Sequence, residues 1–292
     1  MAFGFLPKLR LTFYGGVISL TGFFIFIDDA QRPDVVWPKI FFVKTVKERI
    51  HVGTSGWSYK HWKAVFYPRG LSATKWLPFY AEHFSTTEIN GSFYRLPSQE
   101  TVQKWTEQVP NDFLFCPKMS RYLTHLKKLN EPEEPLERFF SVFEVMQKKM
   151  GPVLIQLPAF LHFRYDAMEH FYALLQERYR CYGFVMEVRH QSWLEEISLT
   201  LMAKYNIGLV ISQSGNFFPY SEMATAKNIY VRFHGPAELY ASAYSDETLQ
   251  SFARKFLAWA EEGHDVWAYF NNDIGAHAVR DAERLLRLLG QK

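Results

Sequence analysis

The chain has 292 residues, 48% hydrophobic and 22% charged, which is enough apolar material for one large core and excludes a disordered chain. Its formal charge of +3 is uneven, with seven Lys/Arg against four Asp/Glu in residues 1–50 and 26 against 26 from His51 onward. The body is therefore neutral, and no global basic field argues for nucleic acid, although a local basic mouth is compatible with that balance.

Residues 11–27, LTFYGGVISLTGFFIFI, form an uncharged run of 17 preceded by Lys8 and Arg10 and followed by Asp28 and Asp29. That is the charge layout of a membrane anchor with its basic end inside, but the run is at the short limit for spanning and holds three glycines. An anchor, a packed extension and sequence added by a spurious upstream start remain open readings of residues 1–49. Any membrane partner would act through residues 11–27. Residues 30–49 read as a linker.

From His51 the chain alternates strand-like runs with helical periodicity, the mark of consecutive βα units. Strands are expected at 51–55, 86–90, 113–118, 153–157, 183–189, 207–212, 229–234 and 266–271. Helices are expected at 74–84, 99–109, 136–149, 166–180, 199–206, 246–262 and 275–289, with Ser98, Asp166 and Asp246 just before or at helix starts. The sixth unit is weak, because Gly215 and Pro219 leave residues 214–228 little room for helix. Eight strands in residues 50–292 predict an α/β fold, a (β/α)8 TIM-type barrel with an N-terminal extension. An open doubly wound sheet is the competing arrangement, and no GxGxxG or GxxxxGK[ST] loop supports it. Cys116 and Cys181, the only cysteines, lie in or beside apolar runs and are expected as buried free thiols, which suits a reducing, cytoplasmic setting; the anchor reading would instead place the protein at the inner membrane.

Polar residues recur two apart at the downstream ends of the strands, as in VMEVRH, IYVRFH and WAYFNN. A strand turns successive side chains to opposite faces, so Glu187 and Arg189 share a face, as do Arg232 and His234, Tyr269 and Asn271, and Glu88 and Asn90. A barrel gathers such ends around one mouth, where barrel enzymes keep their chemistry.

The strings GTSGWSY at 53–59, EINGSFYRLP at 88–97, FCPKMSRYLTH at 115–125, IQLP at 155–158, MEVRHQSW at 186–193, YVRFHG at 230–235 and YFNN at 269–272, with Trp62 and Tyr67-Pro68, resemble the YecE-like family, domain-of-unknown-function family 72. The resemblance runs in order through residues 51–292 and has no counterpart for residues 1–49. It implies a TIM-type barrel and no assigned activity or cofactor. Carried over by position, the family's polar set falls on Glu88, Asn90, Lys118, His125, Gln156, Glu187, Arg189, His190, Arg232, His234, Asn271 and Asn272.

Arg189 and Arg232 are read either as planar clamps for a phosphate or carboxylate or as internal partners of Glu88 and Glu187. The loops after the seventh and eighth strands, with Arg232, His234 and residues 271–275, are the expected phosphate end of such a barrel. Catalytic candidates are His234 and His190, which titrate near neutrality, Glu187, which would orient one of them, and Lys118, whose pKa burial and nearby cations would lower. Ligand-positioning candidates are Arg189, Arg232, Glu88, Asn90, Gln156, Tyr269, Asn271, Asn272 and Trp57, the last after Gly56 at the first strand's end. Other aromatics, Trp76, Trp105, Phe139, Phe140 and Trp259, fall in helical patterns and read as core.

The expected function is proton-transfer or hydrolytic chemistry on an anionic, phosphorylated or carboxylated small molecule. Two alternatives are carried. A nucleic-acid-binding or nuclease-like barrel would use the same arginines with Trp57, Phe93, Tyr94 or Trp193 as stacking platforms. A glycoside hydrolase would use Glu88 and Glu187, yet the ends of the fourth and seventh strands, where common barrel glycosidases hold their acids, carry Gln156 and Arg232. No HxH, HExxH or Cys-rich set assigns a metal ligand, and the cofactor is unassigned.

Overall fold

The structure, a computed structural model, describes residues 44–292 and three short strands of the extension, Thr12–Tyr14, Val17–Leu20 and Phe23–Phe26. Those three pair antiparallel in chain order. The readings placed on the rest of residues 1–43 lie outside the described residues. The run at 11–27, where a spanning helix was one expectation, thus contributes strands, and no helix among the described residues is long and apolar enough to cross a membrane.

The barrel strands are β1 Ile50–Thr54, β2 Thr86–Ile89, β3 Leu114–Pro117, β4 Val153–Gln156, β5 Phe184–Glu187, β6 Ile207–Gln213, β7 Asn228–Phe233 and β8 Asp265–Phe270. All eight expected strands form, and every pairing is parallel in the order β3-β2-β1-β8-β7-β6-β5-β4. Bridges Phe115 to Met150 and Lys118 to Leu154 join β3 to β4, with Met119 N donating to Leu154 O at 2.8 Å, so the sheet closes instead of staying open. Gly53 sits where a Cβ would lie 2.2 Å from Thr86 O, which lets β1 approach β2.

The outer layer comprises α1 Trp76–Ala81, the single turn α2 Gly91–Tyr94, α3 Gln99–Glu107, α4 Glu133–Phe143, α5 Tyr165–Arg178, α6 Glu196–Lys204, α7 Asp246–Glu261 and α8 His277–Leu288. Ser98 caps α3 by accepting from Thr101 N, whereas Ser245, one residue before Asp246, caps α7; Asp246 and Asp166 lie in first turns. The segment expected as one helix at 136–149 changes after Phe143 to a 3-10 turn, Glu144–Lys149. Between β6 and β7 no helix forms, as Gly215 and Pro219 predict.

Alternation along each strand splits the apolar residues in two. Ile50, Val52, Ile155, Met186, Ile211, Val231 and Phe270 face the helices, while Cys116, Leu154, Val185, Val210, Tyr230, Trp267 and Tyr269 fill the barrel. Lys44 and Arg49 reach Asp265 at the N-terminal end of β8, so residues just ahead of β1 are tied to the barrel floor. Cys116 is buried as expected; Cys181 is exposed, because it follows α5 on the surface.

Candidate functional site

Above the apolar interior the same alternation delivers a layer of charge. The Arg232 guanidinium, on β7, lies side-on to Glu88 of β2, with Nε donating to Oε1 at 2.8 Å and Nη2 to Oε2 at 2.9 Å. Its Nη1 donates to Glu187 Oε2 at 2.7 Å, and Nη2 also reaches Ser55 Oγ. Tyr230 completes the Glu88 shell through its hydroxyl. Glu187 Oε1 accepts from Arg189 Nη2 at 2.7 Å, His234 Nε2 at 2.7 Å and Ser212 Oγ at 3.1 Å.

Glu88, Glu187, Arg232 and His234 are all buried. Burial alone would raise the Glu187 pKa, but Arg189, Arg232 and His234 outweigh it and hold the carboxyl well below the usual range. Burial opposes the Arg232 charge too, and the two carboxylates overcome it, raising its pKa. Burial pushes His234 down to about 4 despite Glu187, with Arg232 and Arg189 adding to the depression. The ring is therefore neutral at pH 7, donating from Nε2 to Glu187 while Nδ1 accepts from Asn271 Nδ2 at 3.1 Å.

This geometry corrects several expectations. Arg232 is an internal partner of both carboxylates, which is one of the two readings given to it, while also lining the cavity at the mouth. His234 has both ring nitrogens engaged and lies beneath the mouth, so it is not placed as the proton carrier. Glu187 serves Arg232, Arg189 and His234, and neither it nor Glu88 is set as a glycosidase acid. His190 is bound to Ser192, not Glu187, and packs against His162 with ring centroids 3.7 Å apart and planes tilted by 33°. Tyr269 lies a layer too deep, bonded to Thr86 Oγ1 and Cys116 Sγ. Asn272 points out of the barrel and braces Ser242 O and Asp281. Trp193 is core, its indole donating to Leu161 O.

A cavity of about 810 Å³ opens over this layer at the strands' C-terminal ends. It is lined by Glu88, Asn90, Lys118, Gln156, Arg189, Arg232, Asn271 and Trp57 among the residues expected there. The turn after β1 places Trp57, since Gly56 adopts φ +115°, a region other residues rarely enter. Trp57 meets Trp105 edge to face at 5.2 Å, so Trp105, expected as helix core, forms part of the wall. Tyr59, Phe93, Tyr94 and Tyr240 extend that aromatic lining.

Lys118, at the end of β3, is the least conventional group. It is 7% exposed, its Nζ donates to the neutral Gln156 Oε1 at 2.6 Å, and it lies 4.2 Å from the Phe93 ring centroid. No carboxylate among the described residues stands within ion-pair distance of it, since Glu88 and Glu187 are spent on Arg232, Arg189 and His234. Burial first, then Arg232, lower its pKa to about 7 against the pull of the two carboxylates.

Arg121 and His125 line the same cavity from the segment after β3, with His125 on the π-helical turn Tyr122–Leu126. Arg121 was not anticipated; the four-residue spacing of Arg121 and His125 is the signal that puts them on one face of a helical turn, beside Lys118 at the strand end. Two polar atoms of lining residues are buried without a partner, Arg189 Nε and Asn90 Oδ1. The cations thus gather on the β3 to β5 side. The loop after β8, the expected phosphate end, instead presents Asp273, whose burial raises its pKa. Among the described residues no group of three or more His, Cys, Asp or Glu side chains is arranged as a metal cage.

The profile of the family described as "Protein of unknown function DUF72" matches residues 51–292. The chain belongs to that family. Among curated proteins, this DUF72 chain is 25% identical over 273 residues to UPF0759 protein YunF of Bacillus subtilis, covering 82% of this chain and 94% of that one. It is 32% identical over 142 residues to UPF0759 protein YecE of Escherichia coli, a match spanning 48% of each chain. Among solved structures, a DUF72 family protein of Thermotoga maritima superposes with TM-score 0.74 at 27% identity, covering 82% of this chain and 99% of that one. One from Enterococcus faecalis, at 20% identity and TM-score 0.71, covers 82% and 95% and shares the fold. The family resemblance and the barrel read from sequence both hold.

Proposed function

We infer that this DUF72 barrel binds a small anionic molecule in the cavity at its mouth and performs proton-transfer chemistry on it around the amine of Lys118. The observation that carries the reading is a buried lysine with no ion-pair partner among the described residues, set in a cavity of ligand size. A buried amine left unpaired costs stability, and such costs concentrate at working sites. An amine near neutrality takes up and releases protons at physiological pH, a task His234 is not placed to perform. Arg121 and Arg189 supply the anion's counter-charges, His125 adds an imidazole whose pKa burial and the nearby cations lower, and Arg189 Nε has no acceptor among the described residues.

The test is a thermal-shift screen of the full chain against phosphate, carboxylic acids, sugar phosphates, nucleotides, oligosaccharides and short DNA and RNA. A ligand at a hundred times its dissociation constant stabilises by about 2.7 kcal/mol, a visible shift. The reading expects small anions to shift the wild type and Arg189→Ala to lose that shift. A response confined to oligosaccharides or nucleic acid, or unchanged in Arg189→Ala, defeats it.

A further inference from the structure

The substrate class follows from how Lys118 is held. A lysine placed for electrostatics alone sits against a carboxylate or in water, whereas here the Nζ is pinned by one neutral amide oxygen, Gln156 Oε1 at 2.6 Å, and covered on another side by the Phe93 ring at 4.2 Å. Both neighbouring carboxylates are bonded to other donors, so neither pairs directly with the amine, and their pull on its charge is outweighed by burial and Arg232. Phe93 in turn has the His125 ring edge-on at 5.0 Å, so the amine, the aromatic face and a cavity-lining imidazole form one stack. The backbone here is fixed, because Ser92 Oγ contacts both Ile89 O and Lys118 O, and Met119 N is bonded to Leu154 O.

We propose that Lys118 is a nucleophile that forms an imine with a small carbonyl compound bearing an anionic group, a 2-oxo acid or an aldehyde or ketone phosphate. This rests on the anion-binding reading of the cavity and names its substrate. The Nζ lone pair bonds to the carbonyl carbon while the carbonyl π pair moves to oxygen, giving a carbinolamine after one proton passes from nitrogen to that oxygen. The oxygen then departs as water, taking one further proton from solvent, as the nitrogen lone pair forms the C=N bond. One neutral amine, one carbonyl and one proton thus give one protonated imine and one water, with no oxidant or reductant. The cationic imine draws electrons from the adjacent carbon, which makes loss of a proton there the natural next step. Attack needs the neutral amine, and the lowered pKa of Lys118, about 7, supplies it at physiological pH. Asn90 Oδ1, buried and unpartnered, is an acceptor suited to a hydroxyl on the same substrate.

The experiment is reductive trapping. The full chain is incubated with cyanoborohydride and, separately, glyoxylate, pyruvate, 2-oxoglutarate, glyceraldehyde 3-phosphate or ribose 5-phosphate, then analysed by intact mass and peptide mapping. At least one probe is expected to give a single adduct on Lys118, with a rate that rises with pH through about 7. Lys118→Arg should lose that adduct, and Arg189→Ala should slow it. Should Lys118→Arg fail to fold, the wild-type peptide map decides, since an adduct on any other lysine overturns the proposal. Probes that shift the melting temperature through Arg189 yet leave no adduct on Lys118 overturn imine formation and leave anion binding standing. Probes that neither bind nor label overturn both.

Discussion

The two halves of the barrel mouth are built on opposite principles. Across the mouth from β2 and β5 to β7 and β8, Arg232, Glu88, Glu187, His234 and Asn271 form a closed network in which nearly every donor meets an acceptor. On the β3 to β5 side, Lys118 leans on a neutral amide and Arg189 carries an unpartnered Nε. Both hold buried charge, and the first is compensated internally, as a structural network requires; Arg189 shares Glu187 with that network, whereas Lys118 has no carboxylate partner among the described residues. Charge at this barrel mouth is thus of two kinds, that held within a network and that of Lys118, which no carboxylate among the described residues pairs.

The sharpest way to break this contrast is Arg232→Met, which strands Glu88 and Glu187 in the barrel and should cost about 3 to 5 kcal/mol in chemical denaturation. The triple change with Glu88→Gln and Glu187→Gln should recover most of that loss, and a triple variant as unstable as the single one would show that the network is not the reason.

Lys118→Met should act in the opposite direction and stabilise the protein at pH 7, by on the order of a few kcal/mol, because it removes an uncompensated amine. The folded pKa of about 7 lies below the ordinary lysine value, so between these values the unfolded chain binds more protons. Stability contributed through Lys118 therefore rises with pH from about 7 toward 10.5, and the advantage of Lys118→Met should shrink over that window. Melting curves at several pH values read this directly.

His234 gives a smaller and acidic signature. Its folded pKa of about 4 lies below the 6.5 of the ordinary group, so stability should fall as pH drops from 6.5 to 4, by up to about 1.4 kcal/mol per unit for one histidine. His51, stacked on Trp267 at the barrel floor and lowered to about 4 by burial, adds in the same sense. His234→Gln should therefore reduce the acid slope without abolishing it. Arg189→Ala should change stability least, by about 1 kcal/mol, since Glu187 keeps Arg232 and His234. Its expected effect is on ligand binding, and isothermal titration with whichever anion the screen yields would separate the two.

Much of the mouth was legible because strand alternation is strictly local. Glu88 with Asn90, Glu187 with Arg189 and Arg232 with His234 share faces in the barrel as their spacing requires, and the strand count gave the closed fold. Spacing of two carries no depth, so Tyr269 and Asn271 looked equivalent although one is buried interior and the other rim. Nor does it carry what lies after a strand. Asn272, one residue beyond Asn271, turns outward to Asp281, and Arg121 and His125 reach the cavity only because the segment after β3 winds into a π-helical turn.

By itself, then, the sequence determined the family, the eight βα units and the set of polar strand ends, because each depends on local periodicity or on motifs read in order. Only the tertiary structure decided which charges cancel. Arg232 and Glu88 are 144 residues apart, and Arg232 and Glu187 are 45 apart. Whether a guanidinium finds two carboxylates or waits for a ligand depends on strand stagger around a closed barrel, a property of the whole sheet that no local stretch of residues encodes.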